Sequence, residues 1–289
     1  MGKDLYENFA SARHVFDEAN EVLGFNLKGL IFNGTQSQLI QTENTQPAIL
    51  TTSVAILRIL ESEYGFNIES ACTFALGHSL GEYTALVATK ALSLHDAIKL
   101  VRLRGESMTK TVSQLKVKTA MSALIGELVE LANVNSAVIS GTSNAVDFAS
   151  GVLQSNHLAA RALDLPVSAP FHCKLMQPAA DMMRASLKNI KFNTPTIDVI
   201  TNVTATPIKS STEIPQLLEK QVTATVQWQK SIKYCKERDI NTFIVIGPAR
   251  VLANLLRKEY PLDRIRPLTT VKDIQLHSEE LKIKQLNTL

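Results

Sequence analysis

A serine flanked by two glycines, placed between an apolar run and a helix-forming segment, is the feature that most constrains this chain. The motif reads GHSLG at 77–81. The apolar run at 71–76 predicts a buried strand, and the composition of 82–91 predicts a helix. A strand, a sharp turn and a helix in this order expose the Ser79 hydroxyl at the carboxyl end of the strand. The alternative is a glycine-rich turn in which the serine has no function.

The helix after the turn adds an electrostatic element. Its first turn points the Leu80 N–H and the positive end of the helix dipole toward an oxyanion formed on a bound acyl group. Ser79 would then be a nucleophile, and a serine needs a base near neutral pH. The motif therefore predicts acyl-transfer or hydrolytic chemistry.

The rest of the chain predicts an α/β protein with a second, smaller unit. Its 289 residues allow one large domain with a small companion. Helical spacing alternates with short strands outside 116–169. Inside it, short β-like segments at 119–125, 128–136, 137–140 and 161–168 surround one helix at about 144–157. We expect residues 1–115 and 170–289 to form a large core with a mostly parallel sheet, and residues 116–169 to form an inserted α+β domain.

Composition excludes several classes of protein. Hydrophobic residues make up 45% and charged residues 20% of the chain, which excludes wholesale disorder. The formal net charge of +3 is too small for charge-driven nucleic-acid binding. No apolar run reaches the roughly 18 residues of a membrane span. Three widely separated cysteines fit a reducing compartment better than a disulfide scaffold or a zinc site.

Among the six histidines, His172 is the candidate general base. It follows a predicted strand and a proline-imposed bend, at the sheet edge where open α/β folds carry functional loops. A histidine beside a phenylalanine can equally be a core residue. In a triad of the hydrolase type, Asp147 or Asp164 would orient this histidine, although Asp164 lies in an alternating strand and should face solvent.

The helix predicted at 95–112 carries a charged residue on its apolar side. On a helical projection of about 100° per residue, Arg104 falls inside the arc formed by apolar residues such as Leu100 and Met108. A buried guanidinium is costly unless an anion pairs with it. That anion is either the carboxylate of an internal Asp or Glu or an anion that belongs to the substrate.

Five segments together resemble the malonyl-CoA:acyl carrier protein transacylase family. They follow the family's order over nearly the whole chain: TQPAIL (45–50), GHSLGEYTAL (77–86), LVRLRGESM (100–108), PVSAPFHCKLMQPAAD (166–181) and GPARVLANL (247–255). The resemblance implies a hydrolase-like core with a ferredoxin-like inserted domain. It also implies transfer of a malonyl group from malonyl-CoA to the phosphopantetheine thiol of acyl carrier protein in fatty-acid synthesis, with no metal and no cofactor.

The resemblance also implies the role of individual residues. It makes Ser79 the nucleophile, His172 the general base and Arg104 the partner of the malonyl carboxylate. The supporting positions are the Leu80 N–H at the oxyanion, the backbone carbonyl of Gln221 that orients the histidine, and Met108 and Phe171 in the acyl pocket.

Two parts of the family pattern are missing. Family members begin with a strand and a G-Q-G-S-Q loop, whose glutamine supplies a second oxyanion N–H, whereas this sequence starts at Met1. Loss of one such donor typically costs about 100- to 1,000-fold in turnover. At 124–128, the helix that the family places between two strands is reduced to one or two residues, so we expect an incomplete, rearranged small domain. Both gaps suggest an internal start and an omitted segment.

Two other functions remain open. One is a serine esterase or thioesterase, and the other is a catalytically impaired fragment or paralogue that only binds carrier protein. For docking of an acidic carrier protein, charge alone suggests four candidates: Lys110, Lys116, Lys118 and Arg250.

The expected setting follows from weaker signals. We expect a monomer that binds neither nucleic acid nor membranes. The threonine-rich stretch at 201–226 favours the mitochondrial matrix, with a bacterial cytoplasm as the alternative.

Overall fold

A computed structural model describes residues 1–128 and 134–277 of the chain. Within them, the α-helices are α1 (Lys3–Asn8), α2 (Ala10–Leu23), α3 (Leu27–Asn33), α4 (Gln36–Leu39), α5 (Thr42–Tyr64), α6 (Ile68–Ala71), α7 (Leu80–Ala88), α8 (Leu94–Gln114), α9 (Ser143–Ser155), α10 (Gln177–Asn189), α11 (Ile214–Gln221), α12 (Trp228–Lys236) and α13 (Val251–Glu259). The strands are β1 (Phe74–Leu76), β2 (Thr119–Leu128), β3 (Val134–Thr142), β4 (Arg161–Asp164), β5 (Asp198–Ile200), β6 (Thr242–Ile246) and β7 (Arg264–Leu268). A further helix covers 271–277.

Two pairs of parallel strands form the centre of the large unit. β1 pairs with β5, and β6 pairs with β7. Helices cover both faces of these strands, as expected for parallel sheets. The predicted α/β core with a mostly parallel sheet is confirmed. The carboxyl end of β1 leads directly into the GHSLG turn and α7.

Helices α5 and α8 cross closely, and two local features allow this. A Cβ on Gly105 would lie 2.5 Å from the Cα of Glu43, so only glycine fits at the crossing. Pro47 has no N–H to donate to the Glu43 carbonyl four residues earlier, and the Arg102 guanidinium donates to that carbonyl instead, at 3.0 Å. The crossing brings the amino-terminal half of α5 beside Arg104.

The largest apolar cluster lies between these helices and the strands. It includes fully buried side chains from α2, α5, α7 and α8, for example Phe16, Ile56, Leu86 and Ile98. Within residues 1–128 and 134–277, no helix combines the length and the apolar character that crossing a membrane requires.

The inserted segment forms a sheet of its own. Its strand order is β3-β2-β4, and both pairs are antiparallel. Helix α9 packs on this sheet through the buried residue Val146. Within the described residues of this unit, the structure has these three strands and one helix. The expectation of an incomplete small domain stays a prediction.

The strand break expected at 126–127 is wrong. Residues 119–128 form one strand, with a change of register between Ile125 and Leu128. The irregularity is a bulge at Gly126, where a Cβ would lie 2.7 Å from the Ala160 amide nitrogen. The strand predicted over 128–136 lies partly outside the described residues, and β3 begins at Val134.

Candidate active site

Ser79 lies at the sharp turn between β1 and α7. Its backbone has φ 53° and ψ −104°, a strained conformation that is rare for a residue with a Cβ. The turn requires Gly77, because a Cβ there would lie 2.1 Å from the carbonyl carbon of Gly81. Asn202, just after β5, holds the turn: its Oδ1 accepts from the Ser79 N–H at 2.6 Å, and its Nδ2 donates to the Gly77 carbonyl at 2.7 Å.

The structure places His172 beside the serine, 93 residues away in the sequence. Its Nε2 lies 2.8 Å from Ser79 Oγ, and its Nδ1 lies 2.9 Å from the backbone carbonyl of Gln221. Because a carbonyl only accepts, Nδ1 carries the ring proton and Nε2 accepts from the serine hydroxyl. Burial, and after it the positive charge of Arg104, lowers the pKa of His172 from 6.5 to about 3. The imidazole is therefore a neutral base throughout the physiological range.

Arg104 is buried, with 3% of its surface exposed, and its guanidinium contacts the serine. Nη2 donates to Ser79 Oγ at 3.0 Å and to the side-chain oxygen of Gln221 at 3.0 Å, and Nη1 donates to that of Gln46 at 2.8 Å. All three acceptors are neutral. None of the ion pairs within 4.0 Å in the described part of the chain involves Arg104. Of the two anions that the sequence left open, an internal carboxylate is thus not in direct contact.

Gln221 and Glu82 connect these groups underneath the site. Gln221 Nε2 donates to the Ser79 carbonyl at 2.9 Å and to Glu82 Oε2 at 2.8 Å. The same carboxylate oxygen accepts from the Asn202 N–H at 3.1 Å. Burial raises the pKa of Glu82 to about 7, although these hydrogen bonds and Arg104 act in the opposite direction.

A cavity of about 230 Å³ opens above Ser79 and Arg104. Phe171 lines it, together with the segment 166–168, which is held to α5 by a hydrogen bond between the hydroxyls of Ser168 and Thr42. The predicted position of Met108 in the pocket wall is wrong. Met108 is fully buried behind the wall, where its sulfur accepts from the Gln46 amide at 3.6 Å. It supports Gln46, which does line the cavity.

The carboxylates of the alternative triad lie elsewhere. Asp147 and Asp164 are both exposed in the small unit, and the nitrogen that such an aspartate would bind is occupied by the Gln221 carbonyl. Of the docking candidates, Lys110, Lys116 and Lys118 are exposed.

Arg250 is also exposed, but it forms an ion pair with Asp273. In the two described stretches of chain, no group of three or more His, Cys, Asp or Glu side chains is arranged to hold a metal ion.

Three residues of the site were not predicted from the sequence. Gln46 lies in the TQPAIL motif, which carried no assigned role. Asn202 lies just after the carboxyl end of β5, where α/β folds place ligand-contacting residues. Glu82 is the sole charged residue in α7, LGEYTALVA, and this position in an apolar helix was the available signal.

A strained serine at a strand–turn–helix elbow, hydrogen-bonded to a histidine on a mostly parallel α/β sheet, defines a class of enzymes that transfer or hydrolyse acyl groups. Within that class, the chain belongs to the acyl transferase family. The family model described as "Acyl transferase domain" matches residues 1–279.

Several relatives carry a more specific description. The malonyl CoA-acyl carrier protein transacylase of Bacillus subtilis strain 168 is 40% identical over 278 residues, which cover 89% of this chain and 85% of the relative. That of Escherichia coli K12 is 35% identical over 277 residues, covering 89% and 87%.

Solved structures of similar fold carry the same kind of description. The acyl-carrier-protein S-malonyltransferase of Bartonella henselae superposes with a TM-score of 0.89 at 36% identity and covers 97% of this chain and 94% of its own. A malonyl-transacylase in complex with a type II PKS acyl-carrier protein has a TM-score of 0.88 at 32% identity, with coverages of 97% and 94%.

Proposed function

We propose that the protein is an [acyl-carrier-protein] S-malonyltransferase. It moves a malonyl group from coenzyme A to the phosphopantetheine thiol of acyl carrier protein, in fatty-acid synthesis, through a malonyl ester on Ser79. The relatives named above support this assignment by their descriptions. Neither a metal nor a cofactor takes part in the proposed reaction.

The observation that carries the proposal is the buried guanidinium of Arg104 next to the serine. Its contacts are neutral oxygens of Gln46, Gln221 and Ser79, so its charge has no carboxylate in direct contact. A substrate carboxylate can bind there with paired, charge-assisted hydrogen bonds. A malonyl group has this carboxylate one methylene group away from its thioester carbonyl, whereas an acetyl group lacks it. Arg104 therefore selects a dicarboxylic acyl group.

The first half-reaction forms the acyl-enzyme. His172 Nε2 takes the hydroxyl proton as Ser79 Oγ attacks the thioester carbonyl carbon. The Leu80 N–H, in the first turn of α7, has no intrahelical acceptor and stabilises the tetrahedral oxyanion. The C–S bond then breaks, and coenzyme A leaves with the proton held by His172.

The second half-reaction reverses these steps with a different thiol. His172 removes the proton of the phosphopantetheine thiol, whose sulfur attacks the malonyl ester. The C–O bond to Ser79 breaks, and the proton returns to Oγ. Throughout the cycle the Gln221 carbonyl keeps the imidazole in the required tautomer.

The alternative functions have less support. The esterase reading needs a triad acid, and both candidates are exposed away from His172. It also needs a pocket for neutral acyl groups, which would leave Arg104 unpaired. A catalytically impaired carrier-binding protein would keep the fold and fail in the chemistry, so a direct assay distinguishes it.

The direct assay is mass spectrometry of the intact protein after incubation with malonyl-CoA. We expect a malonyl adduct on Ser79, its absence in Ser79→Ala, and its loss when holo acyl carrier protein is added. A wild-type protein without an adduct would refute the transferase assignment and favour the impaired form.

Selectivity is tested by Arg104→Gln, with Lys99→Gln on the exposed side of the same helix as the charge-matched control. Losing one partner of a buried ion pair costs about 3 to 5 kcal/mol, so kcat/KM for malonyl-CoA should fall roughly 150- to 5,000-fold. The control should retain its activity, and the rate with acetyl-CoA should change much less. An equal loss with both substrates would show that Arg104 does not recognise the carboxylate.

The oligomeric state and the cellular compartment are also part of the proposed function. The enzyme acts as a monomer on malonyl-CoA in the mitochondrial matrix, with a bacterial cytoplasm as the alternative. The cysteines form no disulfide among the described residues, which suits either compartment, and the relatives named above are bacterial. Light scattering of the purified protein tests the monomer, and fractionation of the source cells tests the compartment.

A further inference from the structure

Arg104 meets the cavity above Ser79 through two neutral oxygens. Its Nη1 donates to Gln46 Oε1 at 2.8 Å, and its Nη2 donates to Ser79 Oγ at 3.0 Å. Both acceptor residues line the cavity, whereas Gln221, the third acceptor, does not. A carboxylate that binds a guanidinium with paired hydrogen bonds places one oxygen on each of two nitrogens. The oxygens of Gln46 and Ser79 therefore stand where the two oxygens of a substrate carboxylate would bind.

These two residues respond differently to an arriving carboxylate. The Ser79 hydroxyl has a second partner, because it donates to His172 Nε2 at 2.8 Å. Gln46 is buried in α5, with 6% of its surface exposed, and it cannot turn out into solvent. If its oxygen stayed in place, it would face a carboxylate oxygen. Two acceptors would then meet with no proton between them, which is an unfavourable contact.

A half-turn of the Gln46 amide about its last side-chain bond removes this conflict. An amide carries an acceptor oxygen and a donor NH₂ group of nearly the same size, so the half-turn exchanges the two and leaves the rest of the side chain in place. Nε2 then faces the cavity and donates to the substrate carboxylate. A hydrogen bond to a charged acceptor is about twice as strong as one between neutral groups.

In the free enzyme, the donor side of Gln46 is held only weakly. Nε2 donates to the sulfur of Met108 at 3.6 Å, and a thioether sulfur is a weak acceptor. The half-turn gives up this weak hydrogen bond, and the substrate carboxylate replaces Gln46 Oε1 as the acceptor on Arg104. One weak hydrogen bond is thereby exchanged for a charge-assisted one.

The hydroxyl groups in the same part of the cavity wall already have partners. Thr45 donates to the Leu39 carbonyl, and the hydroxyls of Thr42 and Ser168 bind each other. Gln46 lines the cavity, contacts Arg104 and carries N–H donors of its own. It is therefore the neutral side chain that can bind a carboxylate together with the guanidinium.

We propose that Gln46 is a second binding residue for the substrate carboxylate and acts as an amide switch. Its oxygen accepts from Arg104 in the free enzyme, and its Nε2 donates to the carboxylate of the bound acyl group. The inference rests on the proposed function, since it assigns Gln46 to the malonyl carboxylate. An ionised carboxylate at position 46 could only accept, so the switch requires an amide. It increases the preference for malonyl over acetyl groups, because an acetyl group offers no acceptor there.

Nuclear magnetic resonance of the Gln46 side-chain amide tests the switch directly. The resonance is identified by its loss in Gln46→Met. The measurement uses Ser79→Ala, which can bind malonyl-CoA but cannot form the ester. We expect malonyl-CoA to move the Nε2 protons downfield and to slow their exchange with solvent about tenfold or more, because they gain a charge-assisted hydrogen bond. Acetyl-CoA should leave both the shift and the exchange rate unchanged.

Gln46→Glu tests the requirement for an amide in the otherwise wild-type enzyme. The glutamate has the same size but gives Arg104 an internal carboxylate as its partner. We expect kcat/KM for malonyl-CoA to fall about 100-fold or more, and that for acetyl-CoA to change by less than about tenfold. A folding defect would lower both values equally. Gln36→Glu adds the same charge on the exposed side of α4 and is the matched control, which should retain both activities.

Three results would overturn the inference. An amide resonance that a large excess of malonyl-CoA leaves unchanged would show that Gln46 does not donate to the carboxylate. The same shift with acetyl-CoA would show that Gln46 responds to the coenzyme A part. An unchanged kcat/KM for malonyl-CoA in Gln46→Glu would show that the amide is not required. A wild-type protein without a malonyl adduct on Ser79 would instead refute the proposed function, and the measurement on Ser79→Ala would still decide the role of Gln46.

Discussion

Glu82→Gln tests whether the buried carboxylate under the active site takes up a proton on folding. The pKa of Glu82 is raised from 4.5 to about 7, because burial disfavours the charged form. Over this interval the native protein keeps a proton that the unfolded chain releases. The sign follows directly: the native state loses stability as the pH rises from 4.5 through 7. A glutamine keeps an oxygen to accept from Gln221 and Asn202 but does not titrate.

The magnitude follows from the width of that interval. At about 1.4 kcal/mol per pH unit, ionisation of Glu82 costs the wild type about 3 kcal/mol of unfolding free energy by about pH 8. Relative to the wild type, the Gln variant should therefore gain roughly 2 to 3 kcal/mol between about pH 5 and about pH 8. If the glutamine amide fits this position less well than the carboxyl group, the resulting loss of unfolding free energy does not vary with pH.

The ionisation of His172 changes the stability with pH in the opposite direction, so its contribution must be separated from that of Glu82. Its lowered pKa means that the unfolded chain binds a proton between about 3 and 6.5 that the native state lacks, so stability falls as the pH drops through that range. The two contributions partly cancel in the wild-type profile. The difference between wild type and Glu82→Gln removes the His172 contribution, because both proteins contain it.

The assay is urea unfolding at several pH values, followed by the fluorescence of Trp228, the single tryptophan. Glu21→Gln, which removes an exposed carboxylate on α2, is the charge-matched control. A difference for Glu82→Gln that stays within about 0.5 kcal/mol from about pH 5 to about pH 8 would refute the reasoning, since Glu82 would then be ionised equally in both states.

Three further predictions concern the elbow, the orienting residue and the base. Gly77→Ala should abolish Ser79 malonylation and lower the melting temperature, because its Cβ would lie 2.1 Å from a backbone carbon of Gly81; Gly81→Ala meets open space and should retain both. Gln221→Met keeps the backbone carbonyl on His172 but removes the amide from Arg104, so KM for malonyl-CoA should rise about tenfold with a smaller change in kcat; a fall in kcat alone would contradict this. Since the pKa of His172 is about 3, kcat/KM for coenzyme A release should stay constant from about pH 7 to about pH 5. The measurement uses Glu82→Gln, so that the ionisation of Glu82 does not contribute. A loss of activity toward acid with an apparent pKa of 6.5 would disprove the prediction.

The sequence predicted the parts of the site that depend on local structure. The GHSLG turn follows from the spacing of two glycines between a strand and a helix, and the buried face of Arg104 follows from helical periodicity. Both are properties of fewer than about twenty consecutive residues. The structure places Arg104 on the buried side of α8, with Nη2 3.0 Å from Ser79 Oγ.

The remaining parts depend on contacts between distant segments. Asn202 holds the Ser79 turn from a position 123 residues away, and Gln221 meets Glu82 across 139 residues. No local pattern encodes such a pairing, because it arises when β1, β5 and α11 pack together. The prediction that Met108 lines the pocket is wrong for a related reason. Periodicity shows which side of α8 is buried, but it does not show that Gln46 lies between Met108 and the cavity.

The choice of a backbone carbonyl to orient His172 is consistent with a site that accepts an anion. A carboxylate at that position would raise the pKa of the imidazole and would repel the malonyl carboxylate a few ångströms away. The Gln221 carbonyl fixes the same tautomer without a net charge. The side chain of the same residue contacts Arg104 and Glu82, so one residue at the end of α11 positions the base and the anion-binding group together. Glu82 itself does not line the cavity, so its carboxylate favours the charged form of Arg104 without occupying the place of the substrate.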